Sequence, residues 1–182
     1  MAQRSNFAFV WDSLRSPHNS TLVLNGMKRF IRVLILLLAT WPCFAEEVEY
    51  RPGGQRFEKT WLKFYAGDHE PELSDPLISA GPRMTKAICE AVSHPDMKLR
   101  RYALGALGFI GDKRAIPTLE RILKNKEEIY YFRGDALNAI YQLDKRLGAK
   151  YSKQFSSEHE YLKMIADAIE KGEKWLTTRP KH

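Results

Sequence analysis

One segment of this 182-residue chain is repeated, and the repetition constrains the fold more than any other feature. Seven residues recur with a spacing of 33 positions. The first set is Leu99, Arg100, Ala103, Leu104, Ala106, Leu107 and Ile110, and the second is Phe132, Arg133, Ala136, Leu137, Ala139, Ile140 and Leu143. A period in the thirties is typical of repeat proteins. A single unit cannot bury its own apolar face, so we expect the units to stack on one another.

The first copy predicts two helices joined by a tight turn. Its apolar residues follow helical spacing, and Gly111 comes directly after them, where glycine often ends a helix. Pro117 then falls in the first turn of a second helix, where its missing N–H does no harm. Gly105 and Gly108 lie inside the first helix, and we expect them to let a neighbouring helix approach closely.

The second helix of this copy also matches an earlier segment, with a shift of 31 residues. Met84, Ile88, Ala91 and Val92 stand where Ala115, Leu119, Ile122 and Leu123 stand in the first copy. The segment that begins at Met84 is therefore predicted to be the second helix of a preceding unit.

The run from His94 to Asn125 resembles the HEAT-like repeat family, in the short bacterial form also seen in phycobilisome lyases. The matching residues are Asp96, Arg100 or Arg101, Ala103-Leu104-Gly105, Gly111-Asp112 and Ile116-Pro117-Thr118-Leu119. The resemblance is clearest over residues 84–144 and implies an all-α fold, a short α-solenoid of about three HEAT-like helix pairs. No second Gly-Asp and Ile-Pro follow Leu143, as expected of an atypical capping unit.

The segment from Met27 to Ala45 has the three parts of a secretory signal peptide. Basic residues come first, then an apolar stretch shorter than a membrane span, then a small residue at Ala45. A membrane anchor or a buried helix remains the alternative, and a lipoprotein role for Cys43 is disfavoured because large residues precede it. We expect cleavage after Ala45, a periplasmic or secreted domain over residues 46–182, and no stable membrane span. Residues 1–26 are predicted to be an upstream extension from a mis-assigned start.

Much of the net positive charge of the chain lies in residues 1–45, which include the predicted signal peptide. The formal net charge is +7, but residues 1–45 hold five basic side chains and one acidic one. The remaining residues are only mildly basic and mixed in sign, as a soluble surface normally is. Nucleic-acid binding is therefore disfavoured.

Outside the repeat, the pattern predicts four further features. They are a helix from Gln55 to Ala66, a short helix before Gly81-Pro82, a linker from Gly148 to Phe155, and a last helix to about Lys174. Ser157 and Glu160 are expected to form a capping box for that last helix. Trp175 and Leu176 are expected to close its end.

Few residues suggest chemistry. Iron-dependent hydroxylases on HEAT-like repeats bind metal through His-Glu pairs, and this chain has His69-Glu70 and His159-Glu160. One pair lies in a loop and the other lies outside the repeat match, so solvated or capping roles are favoured. Cys89 is expected to be a buried structural cysteine. We predict no catalytic residue, no metal ligand and no cofactor.

The candidate contacts for a partner protein lie at two places. Glu120, Arg121 and Lys124 offer polar contacts on the second helix of the repeat. Tyr130 and Tyr131 are adjacent, so one of them must point away from the core, and exposed tyrosine is favoured at interfaces. A core role for this aromatic pair is about equally favoured.

Two alternatives remain open. The cluster of Asp96, Arg100 and Arg101 has a structural reading, preferred here, and a reading as a charged functional patch. The function that we favour is an exported scaffold that binds another protein without catalysis. The alternative is an enzyme on the same fold, similar to bilin lyases or to metal-dependent hydroxylases.

Overall fold

A computed structural model describes residues 50–67 and 73–178, and every regular element in these two ranges is a helix. The α-helices are α1 (Gln55–Ala66), α2 (Asp75–Ala80), α3 (Thr85–Ala91), α4 (Arg100–Ile110), α5 (Ile116–Lys124), α6 (Tyr130–Leu143), α7 (Lys145–Phe155) and α8 (Glu160–Lys171). Short 3-10 turns occupy Gly81–Met84, Lys113–Ala115 and Lys174–Leu176. The predicted extension, the predicted signal peptide and His69-Glu70 lie outside the described residues.

The turn between α4 and α5 follows from its sequence. Gly111 ends α4 with a φ of 78°, a left-handed conformation that glycine adopts without strain. The side chain of Asp112 then accepts a hydrogen bond of 3.0 Å from the backbone N–H of Arg114. Pro117 lies in the first turn of α5, where no helical hydrogen bond is lost. Both predicted helix boundaries are confirmed.

The helices form two layers. In the first layer α4 packs on α2, α6 packs on α4, and α8 packs on α6. In the second layer α3 packs on α4, α5 packs on α6, and α7 packs on both α6 and α8. The pairs α2/α3, α4/α5 and α6/α7 confirm a short all-α solenoid of about three HEAT-like helix pairs. The prediction that the segment after Met84 forms a second helix is confirmed by α3.

One continuous apolar core runs between the layers, from Phe64 in α1 to Leu176 after α8. The repeated apolar residues form its centre, and Leu104, Leu107, Leu137 and Ile140 are fully buried. Each such side chain contributes roughly 1.5–3 kcal/mol relative to exposure. Stacking of the units therefore supplies the stability that no unit has alone.

Close helix contacts depend on particular glycines. A Cβ atom at Gly108 would lie 3.1 Å from the Ala139 Cα atom in α6, so the predicted close approach is correct there. At Gly105 nothing lies within 4 Å, and the prediction is wrong for that position. At Gly148 a Cβ atom would lie 2.4 Å from the Tyr141 Cα atom, which makes glycine necessary for the packing of α7 on α6.

The C-terminal part differs from the predictions in two ways. The expected linker from Gly148 to Phe155 is instead the greater part of helix α7, because Gly148, Tyr151, Ser152 and Phe155 form a buried stripe. The expected capping box is wrong. Helix α8 is capped by His159, whose Nδ1 accepts a hydrogen bond of 3.0 Å from the Tyr161 N–H.

Beyond α8, the predicted closing residues behave differently from each other. Leu176 is fully buried, whereas Trp175 is half exposed. Helix α8 ends at Lys171, with Gly172 in the left-handed conformation after it. Among the helices of residues 50–67 and 73–178, none has the length and apolar character that a membrane crossing requires.

Candidate protein-interaction surfaces

Arg100 joins three elements of the stack from a buried position. Its Nε donates to the Val92 carbonyl at the end of α3, at 2.7 Å. Its two terminal nitrogens donate to the Glu128 carboxylate at 3.0 and 2.7 Å. The guanidinium also lies over the Phe132 ring, 4.7 Å from its centre. The structural reading of this arginine is therefore the one that the contacts support.

Arg133 repeats this arrangement one unit later. Its Nε donates to the Leu123 carbonyl at 2.8 Å, near the end of α5, and its Nη2 donates to the Glu158 carboxylate. An aspartate at the start of the helix, the structural role that this repeat style implies for Asp96, is not found, because α4 begins at Arg100 with Leu99 as its cap and Asp96 is exposed. The two buried arginines belong to the repeat and are not open to a ligand.

All three candidate residues of α5 have hydrogen-bond partners, and two of them, Arg121 and Lys124, are also exposed. The Glu120 carboxylate accepts hydrogen bonds from the Tyr151 hydroxyl at 2.5 Å and from Lys124 Nζ at 3.1 Å. The bond from Tyr151 is the main cause that lowers the pKa of Glu120. Lys124 Nζ also lies 5.0 Å from the centre of the Tyr151 ring. Arg121 is exposed and donates from Nη2 to the Ser93 hydroxyl.

The neighbouring helix α7 adds cations that the sequence analysis did not include. Arg146, Lys150 and Lys153 are exposed and follow one another at i, i+4 and i+7, which places them on one face of α7. Nearby Lys150 helps to lower the pKa of Glu120 across the two helices. Their helical spacing is visible in the sequence, but the predicted linker from Gly148 to Phe155 left Lys150 and Lys153 without a helix.

The two candidate tyrosines lie at the start of α6 in an aromatic cluster. The Tyr130 ring stacks on the His159 ring, with 3.7 Å between centres and 15° between planes. The Tyr131 ring lies 4.2 Å from Tyr130 and 4.9 Å from Tyr161. Hydrogen bonding to Tyr131 raises the pKa of Tyr130. Of the two, Tyr131 is the exposed one, with 44% of its surface accessible.

Arg101, Asp135 and Tyr161 form a hydrogen-bonded triad next to these rings. Arg101 donates to the Asp135 carboxylate at 3.0 Å and to the Tyr161 hydroxyl oxygen at 2.8 Å, and that hydroxyl donates to Asp135 at 3.0 Å. Burial raises the pKa of Asp135. Burial, reinforced by the Asp135 charge, raises the pKa of Tyr161 to about 12. The triad joins α4, α6 and α8, and no local sequence pattern indicates these contacts.

The arginine of the triad also faces the aromatic rings. Its guanidinium carbon lies 5.9 Å from the centres of both the Tyr131 and the Tyr161 rings. We call Arg101, Tyr130, Tyr131, His159 and Tyr161 the tyrosine cluster. Its rings are fixed by stacking and by the triad, so an exposed aromatic edge is held in place.

The helix pair α4/α5 matches a known family of repeats. Residues 99–125 match the family model of the PBS lyase HEAT-like repeat. These residues form a HEAT-like repeat. The match covers α4, the turn and α5, whose arginine, Gly-Asp and Ile-Pro residues were described above. A search of curated proteins and a search of solved structures each found no match.

The histidine and cysteine of the described residues that were considered for chemistry have structural contacts. His159 caps α8 and stacks on Tyr130, and Glu160 is exposed beside it. In residues 50–67 and 73–178, no three His, Cys, Asp or Glu side chains lie close enough together to hold a metal ion. Cys89 is a half-buried free cysteine, and burial raises the pKa of its thiol against a lowering hydrogen bond with Thr118.

Proposed function

We propose that this protein is an exported HEAT-like scaffold that binds another protein and performs no catalysis. The proposal combines the stacked helix pairs with the signal-peptide pattern of residues 27–45. Export to the periplasm or the exterior exposes a protein to an oxidising environment. Cys89 is the single cysteine of residues 46–182, so no disulfide can form within this segment and its fold depends on noncovalent contacts.

The tyrosine cluster is the observation that carries the proposal. Tyrosine and arginine are enriched at the centres of protein interfaces, where they contribute most of the binding free energy. Tyr131 is held by its neighbours while almost half of its surface faces solvent. Ile129, directly before α6, is 54% exposed and adds apolar area next to it. A side chain that is already ordered loses little entropy when a partner binds.

Copurification tests the proposal. The tagged full-length protein is expressed in its native host, and the periplasmic extract is searched for proteins that are retained by the wild type. The substitution Tyr131→Ala is expected to weaken retention of the partner about 30-fold, as removal of an aromatic hot spot of about 2 kcal/mol would.

Tyr65→Ala is the matched control, because Tyr65 is a similarly exposed tyrosine on α1. It is expected to leave retention unchanged. Equal retention by wild type and Tyr131→Ala would contradict the proposal for this surface. An absorbance spectrum that shows bound bilin or iron in the purified protein would instead favour the enzymatic alternative.

A further inference from the structure

The outward faces of α5 and α7 carry the same charge at the same positions. With a shift of 29 residues, Arg121 corresponds to Lys150, and Lys124 corresponds to Lys153. The shift also aligns the buried residues, since Leu119, Ile122 and Leu123 correspond to Gly148, Tyr151 and Ser152. The correspondence is therefore structural, and the basic residues are repeated in the stack.

We call Arg121, Lys124, Arg146, Lys150 and Lys153 the basic ladder. All five side chains are exposed. The ladder begins at α5, because the equivalent face of α3 carries Lys86 and Glu90, which form an ion pair of 3.9 Å. The two helices are directly linked, since Tyr151 of α7 bonds to Glu120 and lies below the Lys124 ammonium group.

The charge of the ladder is local rather than a property of the whole domain. Helices α5 and α7 together carry six basic side chains and one acidic one. Helices α6 and α8 together carry three basic side chains and four acidic ones. Helix α7, with four basic side chains and no acidic one, has the largest basic excess of the eight described α-helices.

This arrangement is unfavourable for the isolated fold. Helices α5 and α7 meet where the Tyr151 hydroxyl bonds to Glu120, and the screening length of physiological salt is about 8 Å. Cations at equivalent positions of α5 and α7 consequently repel one another. The acid within the two helices, Glu120, is already occupied by Tyr151 and Lys124. A negatively charged ligand would relieve the repulsion.

We propose that the basic ladder is the docking site for an acidic segment of a partner protein. Lysine and arginine side chains bind carboxylates through charge-assisted hydrogen bonds. The ionised Glu120 lies within the ladder and repels a ligand with a continuous row of charges, whereas a peptide can place an uncharged residue beside it. This feature favours an acidic peptide over nucleic acid. The inference rests on the proposed function in taking the ligand to be part of a protein, but it uses a different surface.

The test uses purified full-length protein and a short fluorescein-labelled peptide rich in glutamate. Fluorescence anisotropy is expected to show binding that weakens as salt is added, and no binding of a glutamine-rich peptide of the same length. The double substitution Lys150→Glu with Lys153→Glu replaces two attractions by two repulsions. It is expected to weaken binding of the acidic peptide at least about tenfold.

Lys163→Glu with Lys171→Glu is the matched control. It makes the same change of charge at two exposed lysines of α8 and is expected to keep the wild-type affinity. Circular dichroism establishes that both variants keep their helices. Equal affinity of the two variants, or no binding of the acidic peptide, would overturn the proposal. Tighter binding of single- or double-stranded DNA than of the peptide would also overturn it, in favour of nucleic acid.

The experiments can contradict the proposal for the tyrosine cluster and the proposal for the basic ladder independently of each other. If peptide binding depends on the ladder while retention of a partner does not depend on Tyr131, the docking inference stands and the tyrosine surface is excluded. If a partner is retained through Tyr131 but the acidic peptide does not bind, the ladder is excluded and the scaffold function stands.

Discussion

The guanidinium of Arg100 holds the carboxylate of Glu128 through two parallel hydrogen bonds, of 3.0 and 2.7 Å. Glu128 lies 28 residues further along the chain, in the turn between α5 and α6. The third bond of Arg100, to the Val92 carbonyl, reaches back to the end of α3. A single side chain therefore connects two neighbouring units of the stack.

Arg100→Ala is expected to lower the free energy of unfolding by about 3–5 kcal/mol, because Glu128 is left as a nearly buried charge without its partner. Urea denaturation followed by circular dichroism measures the change. Arg121→Ala, at an exposed position, is the control and is expected to change stability by less than about 0.5 kcal/mol. Equal stability of the two variants would contradict the role given to Arg100.

The pH dependence of stability is expected to include a contribution from Asp112. Hydrogen bonding to Arg114 is the main cause that lowers the pKa of Asp112 from 3.8 to about 2. A lowered carboxyl pKa stabilises the folded state when the group is ionised. The stabilisation is therefore fully present above pH 3.8 and is lost as the pH falls towards 2. Because Arg114 is exposed and its charge is screened, we expect about 1 kcal/mol.

Urea denaturation of wild type and Asp112→Asn at a series of pH values measures this contribution. The wild type is expected to be more stable near neutral pH, and the difference is expected to disappear at acidic pH. Asparagine keeps an oxygen that can accept the Arg114 N–H, so the comparison isolates the charge. A difference between the two proteins that does not change with pH would exclude the charge of Asp112 as its cause.

Two glycines in helices are expected to respond oppositely to alanine. Gly148→Ala places a Cβ atom 2.4 Å from the Tyr141 backbone, so α7 must move away from α6. We expect a loss of about 2–3 kcal/mol. Gly105→Ala has open space around the new Cβ atom and is expected to stabilise by up to about 1 kcal/mol through helix propensity. Thermal unfolding of both variants makes the comparison, and a loss of stability in Gly105→Ala would contradict the open environment.

Tyr161→Phe tests the hydrogen-bonded triad of Arg101, Asp135 and Tyr161. It removes the hydroxyl that accepts from Arg101 and donates to Asp135, and leaves the Asp135 carboxylate with one partner fewer. The expected loss is about 1–2 kcal/mol in urea denaturation. Tyr65→Phe, on the exposed face of α1, is expected to have no measurable effect. If Tyr161→Phe is as stable as Tyr65→Phe, the triad does not contribute to the fold.

The sequence predicted the repeat well because local signals and packing agree there. Gly111 marks the end of α4 and Pro117 marks the start of α5, and the apolar residues of both helices have a clear helical period. The linker prediction failed at α7 because its buried stripe includes Gly148 and Ser152, which are not apolar markers. The packing of these small residues against α6 is visible only in the structure.

The exposure of one candidate tyrosine follows from the sequence, but the contacts that hold it do not. Adjacent tyrosines at Tyr130 and Tyr131 imply that one is exposed, because successive helical residues point in different directions. Their partner Arg101 bonds to Tyr161, 60 residues away, and no period in the sequence indicates that contact. A contact between side chains of distant helices depends on the angle at which the helices pack.

The bond between Arg133 and Glu158 sets a lower limit on the length of a stably folded stack. Ideal repeat arrays can lose terminal units one at a time, since each unit contacts its neighbours through interchangeable apolar faces. Here a chain that ended after α7 would keep the buried Arg133 guanidinium and lose its counter-ion. The turn before the last helix is therefore tied to the preceding unit by charge, and the last helix itself is tied by packing on α6 and α7. The stack is expected to unfold in one cooperative transition without fraying from its end.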